Sequence, residues 1–334
     1  MFELISKEDY KILLPYFINC PYGLCDYSLA SSIVWNCADF PLFRSLKDGI
    51  LTLMGTGSDG DGNKGGTELF RYIYMPLTED GSLISPEKLS EILRTYSACE
   101  VIRVPEIWVE KYRESAADIF EINEEEGFSD YIYRTKDLSS LAGHKYSKKR
   151  NLIAQFRKLT VASHNVTVEP LNNCNAHECM EFLGTLPEDE DTGYNLELLR
   201  SEKNAIATAL KDFNELEMTG ILVKIDGKTE AFAIGSRLNS NTFALNFEKA
   251  NAGIKGLYQF LDENFAKTLE GRFEYINKEN DLKKPGLIQA KESYHPLKKI
   301  KSYQLRPKKV FSSNTVFSAG TAQEKHTVDT SGAC

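Results

Sequence analysis

Four polar residues in the C-terminal half have the types and spacing for acyl transfer: Glu248, Asn277, Glu279 and Lys291. Moving an acyl group from an ester or thioester to an amine or hydroxyl takes an aligned nucleophile, a partner for the tetrahedral oxyanion and a route for one proton. Glu248 follows an alternating apolar run and is read as a general base or amine-orienting group, against the plain alternative of an exposed strand-end acid. Asn277, Glu279 and Asp281 lie two apart beyond the next apolar run, so all three point into one crevice unless they form a solvated turn. Lys291 and Tyr294 add an ammonium and a phenol able to steady an oxyanion or a phosphate. No covalent nucleophile is indicated: there is no GxSxG elbow, and the five His residues form no triad with Ser or Cys.

The stretch that must position these groups, residues 242–282, reads strand, turn, helix, strand. Phe243, Leu245 and Phe247 alternate with Ala244 and Asn246, which predicts a strand with one packed face. Ile254, Leu257, Tyr258, Leu261, Phe265 and Leu269 recur at spacings of three and four, on one face of a helix. Gly271 stops that helix, and residues 273–277 resume as strand. Two parallel strands joined by a helix form a right-handed crossover, whose helix N-terminus sits at the carboxyl end of the first strand. Ligands bind at such strand ends in open α/β sheets, so chemistry is expected at this edge.

Charge is unevenly spread. The chain of 334 residues carries a net charge of −8, yet residues 144–158 hold six Lys and Arg and no acid, and residues 283–309 hold nine against Glu292 alone. Lys145, Lys148, Lys149 and Arg150 begin a helix continuing to Arg157 and Lys158, and the spacing places 145, 148 and 149 on one face. Such a cluster suits the phosphates of an RNA acceptor stem, a lipid headgroup or another anion, or is simply a solvated face. Tyr146 and Phe156 are too sparse to argue for base stacking. A membrane-surface contact through Lys298, Lys299 and Lys301 is a further possibility.

The remaining features are ordinary for a globular chain with room for two cores: 42% apolar and 26% charged residues. No run of 18 apolar residues and no signal peptide occur, so the expected location is cytoplasmic, without an integral membrane segment. Seven scattered cysteines suggest reduced thiols. Cys174, His177 and Cys179 lack a fourth ligand, so no metal is expected.

In chain order, residues 2–17 read as an amphipathic helix capped by Ser6, and residues 49–54 and 69–75 as strands around a glycine-dense loop at 55–66. A helix follows Ser85-Pro86, then a strand at 101–104, a helix at 106–112 and a strand at 131–134. Helices at 176–183 and 195–213 lead to strands at 220–225 and 229–236 about an Asp226-Gly227 hairpin. The fold class is therefore α/β (α+β), in two halves of similar make-up: 1–143, a basic linking helix at 144–160, and 161–310, with a disordered tail at 311–334.

Several segments together resemble one family. Residues 131–156 (YIYRTKDLSSLAGHKYSKKRNLIAQF), Phe247-Glu-Lys-Ala-Asn251, Tyr275-Ile-Asn-Lys-Glu-Asn-Asp281, Gly286-Leu287 and Lys291-Glu-Ser-Tyr-His-Pro296 are similar to the catalytic domain of bacterial phosphatidylglycerol lysyltransferases, in its stand-alone form. The resemblance implies two tandem acyltransferase folds of the GNAT type, as in Fem-like aminoacyltransferases, each a mixed, mostly antiparallel sheet with flanking helices. It implies an aminoacyl- or acyltransferase, with aminoacyl-tRNA or acyl-CoA as co-substrate and no tightly bound cofactor. Against it stands a silent anion- or RNA-binding module using the same cleft. Asn251, Gly253 and Gly256 would then line the donor, the glycines as a shortened pyrophosphate loop or as close-packing positions. The chain departs from the family at Ser147 and Leu152, where His is expected, and at Ile288, where relatives often carry Arg.

Overall fold

Cap and turn residues divide the chain at several of the expected places. Ser85 Oγ accepts the Lys88 N–H ahead of Pro86, and Ser6 and Asp9 form a reciprocal capping box. Asp226 and Gly227 both take positive φ, as a two-residue hairpin requires. The computed structural model describes residues 2–37, 40–58, 69–186 and 196–308. The glycine-dense loop beyond residue 58 and the tail at 311–334 lie outside the described residues.

In chain order the elements begin with β1 (Glu3–Leu4), α1 (Tyr10–Ile18), α2 (Leu29–Val34), β2 (Leu42–Lys47), β3 (Ile50–Ser58), β4 (Leu69–Tyr74) and β5 (Leu77–Thr78). Next come α3 (Pro86–Tyr96), β6 (Glu100–Pro105), α4 (Glu106–Ala117), β7 (Phe120–Glu124), β8 (Asp130–Arg134), α5 (Thr135–Ser140) and α6 (Ser147–Phe156). Then follow β9 (Val166–Pro170), α7 (Ala176–Thr185), α8 (Leu196–Lys211), β10 (Thr219–Ile225), β11 (Lys228–Arg237) and β12 (Thr242–Ala250). The last are α9 (Leu257–Leu269), β13 (Tyr275–Asn277), α10 (Pro285–Glu292), β14 (Lys298–Ile300) and β15 (Ser302–Pro307). The helix expected at 2–17 begins later, after β1 and a short 3-10 turn.

Two sheets result. The first runs β1-β2-β3-β4-β6-β15-β7 with β5 beside β3, and the second β14-β8-β13-β12-β11-β10-β9. Each is antiparallel except for one parallel pair, β4 with β6 in the first and β12 with β13 in the second. The expected mixed, mostly antiparallel α/β architecture is what forms. Sheet membership does not follow the divisions expected at 143 and 310, because the halves exchange strands: β8 pairs with β13 and β14, and β15 inserts between β6 and β7.

The larger core lies between the halves, where Phe17, Tyr27, Val104 and Trp108 join Phe182, Phe232, Ile234 and Phe247. A second core sits under α6 and α9 on the other face of the second sheet. There α9 buries Leu257, Leu261, Phe265 and Leu269. Each such side chain contributes about 1.5–3 kcal/mol relative to exposure. Gly256, in the left-handed region at φ +84°, lets α9 approach α6, since a Cβ there would fall 2.2 Å from the Leu152 carbonyl oxygen. It is a close-packing glycine.

Candidate active site

The parallel strands β12 and β13 stay paired only from Thr242/Tyr275 to Ala244/Asn277. β12 then runs on to Ala250 along β11, while the chain after Asn277 turns away. A bulge marks the parting: Gly235 pairs with Leu245 but Ile234 pairs with Phe247, leaving Asn246 as the extra residue. Gly235 is required there, because a Cβ would come 2.3 Å from the Ala244 carbonyl oxygen. A one-residue slip turns every later side chain to the opposite face. Phe243 and Leu245 thus pack under α9, Phe247 packs into the core between the halves, and Glu248 faces α9. This corrects two expectations. Phe247 does not share a face with Leu245, and Glu248 lies within the strand opposite Ala233, not at its open end.

Glu248 belongs to a buried charge cluster. Its Oε2 is 3.2 Å from Lys278 Nζ, which also donates to Asp262 of α9. Glu248 Oε1 is buried and has no hydrogen-bond partner. Burial, then the charge of Asp262, pushes the Glu248 carboxyl up to about 7, with Lys278 opposing. Burial alone would lower the Lys278 ammonium, but Asp262 and Glu248 outweigh it and hold Lys278 above the usual lysine range. Tyr294 closes one side. Lys149 Nζ lies 3.7 Å from its ring centroid and Lys278 Nζ 5.0 Å, and its hydroxyl, near Asp262, meets no partner at hydrogen-bonding geometry. Lys149 also donates to Ser293 Oγ at 2.6 Å, and burial lowers its ammonium to about 8.

Glu279 forms the other side of the parting. Its Oε1 accepts from Asn246 Nδ2 at 3.3 Å, and its backbone N–H donates to Asn277 Oδ1 at 2.6 Å. Burial pushes its carboxyl up to about 8, with Lys291 opposing and Asp130 adding to the rise. Lys291 Nζ, on the last turn of α10, donates to the Lys278 and Asn280 carbonyls, and burial lowers its ammonium. Fully buried Asn277 donates to Asp130 Oδ2 at 2.7 Å and to the Gly23 carbonyl at 2.8 Å. Asp130 also accepts the Cys25 N–H at 2.5 Å, and burial, then Asp26, pushes its carboxyl up to about 6.

Lys291 Nζ holds the carbonyls on either side of Glu279, and its charge acts on the Glu248 and Glu279 carboxyls. Asn277, Glu279 and Asp281 do not point one way. Glu279 takes a positive φ of 59°, which breaks the alternation, and Asp281 accepts from Tyr131 OH at 2.6 Å. The expected basic face also splits, because Lys149 turns inward while Lys145 and Lys148 stay exposed. Lys145 pairs with Asp137 at 3.4 Å, and Arg150 donates to the Leu141 and Gly143 carbonyls. Asn251 holds the turn before α9, donating to Glu230 and accepting the N–H of exposed Gly253.

Sequence reasoning missed Lys278, Asp262, Asn246 and Asp130. For Asp262 a signal exists: it falls on the buried stripe of α9, beside Leu261 and one turn before Phe265 and Ala266, where a carboxylate demands a partner. Two open hollows, of about 400 Å³ at His177 and Lys211 and about 580 Å³ at Thr135 and Phe273, lie elsewhere and contain none of the four candidate catalytic residues. Among the described residues no group of three or more His, Cys, Asp and Glu is arranged to hold a metal, and no helix is long and apolar enough to cross a membrane.

A crystal structure of a conserved protein of unknown function from Bacteroides thetaiotaomicron VPI-5482 is similar, with a TM-score of 0.77 at 25% identity over 92% of this chain and 99% of that one. The C-terminal domain (DUF2156) of a protein assigned as a lysylphosphatidylglycerol synthetase, from Agrobacterium fabrum, shares the fold with a TM-score of 0.56 at 12% identity, over 90% and 91% of the two chains. A weaker likeness, with a TM-score of 0.48 at 8% identity over 92% and 98%, is to a tandem GNAT protein from the clavulanic acid biosynthesis pathway. No curated protein matches the sequence significantly. Residues 87–306, which include Asp130, Asn246, Glu248, Asp262, Lys278, Glu279 and Lys291, match the family model of the phosphatidylglycerol lysyltransferase C-terminal domain, and the chain belongs to that family.

Proposed function

We propose that this chain is an acyltransferase that moves an aminoacyl group from aminoacyl-tRNA to an amine or hydroxyl acceptor, with an acyl thioester as the second class of donor. Membership in a lysyltransferase family supports the reaction class. The observation that carries the reading is Glu248: one carboxylate oxygen is tied to Lys278, the other is buried without a partner, and the group titrates at about 7. A general base works best when its pKa lies near the working pH.

In the proposed step the free Oε1 takes the proton as the acceptor's N or O attacks the donor carbonyl. A tetrahedral oxyanion forms, and the carbonyl–oxygen bond to the tRNA ribose (or the carbonyl–sulfur bond of a thioester) breaks. The proton then passes to the leaving oxygen or sulfur, so no oxidant, reductant or covalent enzyme intermediate is needed. Tyr294, whose hydroxyl makes no other bond, is the candidate donor to the oxyanion, and Lys278 and Lys291 supply positive charge nearby. Exposed Lys148, with Lys145 and Arg150, suits the phosphates of the donor.

The test is transfer of labelled aminoacyl groups from a panel of aminoacyl-tRNAs, with acyl-CoA in parallel, to amines, polyols and phosphatidylglycerol vesicles. Product from at least one aminoacyl-tRNA is expected. Salt-sensitive tRNA binding with no product from any donor would replace the enzyme with a binding module.

A further inference from the structure

The site described above contains Asn246, but nothing in that chemistry says why its amide should face Glu279 nitrogen first. We infer that Ser236, with Ser28 behind it, is a positioning residue that fixes the Asn246 amide and through it the Glu279 carboxylate. Ser28 and Ser236 are fully buried and Asn246 nearly so. Ser236 Oγ donates to Asn246 Oδ1 at 2.7 Å, and Asn246 Nδ2 then faces Glu279 Oε1 at 3.3 Å. Ser28 Oγ lies 2.7 Å from Ser236 Oγ and 3.2 Å from the Arg237 carbonyl; with the Ser236 proton given to Asn246 Oδ1, the bond between the two hydroxyls takes its proton from Ser28. Ser28 is itself held as the N-cap of α2. The hydroxyls and the amide therefore donate in one direction, from the first half of the chain into the parting of β12 and β13. Reversing the amide would set its oxygen against the ionised Glu279 carboxylate, so the ionised form needs the orientation in which Nδ2 faces Glu279 and Oδ1 takes the Ser236 proton. The bulge is what presents Asn246 to both neighbours: β11 supplies Ser236 on one side, and the turn after β13 supplies Glu279 on the other.

Other groups also face Glu279: Lys291 from α10, Asp130 from β8, and Asp26 and Cys25 from the 3-10 turn Cys25–Tyr27. Lys291 favours the carboxylate, the acids oppose it, and the amide N–H adds a favourable contact that depends on Ser236. Glu279's place in the acyl-transfer site is the proposed function's reading; the relay acts on Glu279's titration whether or not turnover follows.

The experiment follows the carbon-13 carboxyl resonance of Glu279 against pH in the full chain, assigned by its loss in Glu279→Gln. Ser236→Ala frees the amide to rotate, and its midpoint is expected on the order of one pH unit above wild type, the scale of a lost hydrogen bond to a charged group. Ser236→Thr, which keeps the hydroxyl, is expected to restore the wild-type midpoint, which a merely space-filling serine would not require. Ser28→Ala should move it the same way by less, and serves if Ser236→Thr fails to fold. An unchanged midpoint in Ser236→Ala, or in Ser28→Ala if Ser236→Ala does not fold, overturns the inference. A Glu279→Gln protein that transfers at the wild-type rate would instead remove Glu279 from the active site and leave the relay standing.

Discussion

Each sheet contains one parallel pair, and the two pairs end differently. In the first, β4 and β6 stay paired to Tyr74/Ile102, and where Met75 and Arg103 part, the Tyr27 hydroxyl steps between them. It accepts the Met75 N–H at 3.1 Å and donates to the Arg103 carbonyl at 2.7 Å, with Tyr22 and Tyr74 packed against its ring. In the second, β12 and β13 part after Ala244/Asn277, and side chains cross the gap, Asn246 to Glu279 and Glu248 to Lys278. Buried polar atoms gather there, and two of them, Glu248 Oε1 and the Tyr294 hydroxyl, have no hydrogen-bond partner; at the first parting Arg103 Nε makes no hydrogen bond either, but it lies 3.3 Å from Asp26 in an ion pair. A buried polar group without a partner costs about 1–3 kcal/mol, and a bound substrate would supply partners for Glu248 Oε1 and the Tyr294 hydroxyl. The proposed reaction draws on the second parting alone, and that is the contrast to test.

The strongest way to break that contrast is Glu248→Gln. It keeps the size of the side chain but cannot take a proton, and kcat/KM for transfer should fall about a hundred- to ten-thousand-fold. The wild-type rate should rise through about pH 7, where Glu248 loses its proton, and the residual rate of the variant should lack that rise. Turnover unaffected by the substitution would take the base out of the second parting.

Stability should respond in the opposite sense at Glu279. Its carboxyl titrates at about 8 in the folded chain, far above the ordinary glutamate value of about 4.3. Between those two values the folded chain holds a proton that the unfolded chain has released, so folding becomes less favourable as pH rises through that window. Glu279→Gln removes the penalty. Its Tm should exceed the wild-type value at pH 8.5 and converge with it at pH 4, as measured by thermal denaturation at both. A variant less stable than wild type at pH 8.5 would mean that Lys291 depends on the carboxylate more than burial penalises it.

Much of this was legible in the sequence. The α9 stripe, the α3 cap and the Asp226-Gly227 hairpin are local, and each is written in residues three or four apart or in turn chemistry. Phe247 shows where locality ends: an even alternation put it with Leu245, but the bulge at Asn246 is set by how β12 meets Gly235 of β11. Lys278 was passed over between Asn277 and Glu279 because its partners Asp262 and Glu248 lie 16 and 30 residues away. Ser302–Pro307 read as the end of a basic run, and nothing local says that it completes the first sheet between β6 and β7.

Tyr27→Phe sharpens the contrast from the other side, with the smallest expected effect. Removing one oxygen keeps the ring packed against Tyr22 and Tyr74 but leaves the Met75 N–H and the Arg103 carbonyl facing each other across the parting without their bridge. Arg103 takes a positive φ of 54° there, and its guanidinium is held by Glu125 at 2.5 Å and Asp26 at 3.3 Å, so the strand cannot readily swing back to pair with Met75. The buried Met75 N–H and the part-buried Arg103 carbonyl then lose a partner, and urea denaturation should show a loss of about 1–3 kcal/mol. Transfer by the folded variant should match wild type, because this parting contributes no group to the proposed reaction. A Tyr27→Phe protein of normal stability but reduced kcat would mean that the first parting also touches the substrate, and the division of labour between the two sheets would fail.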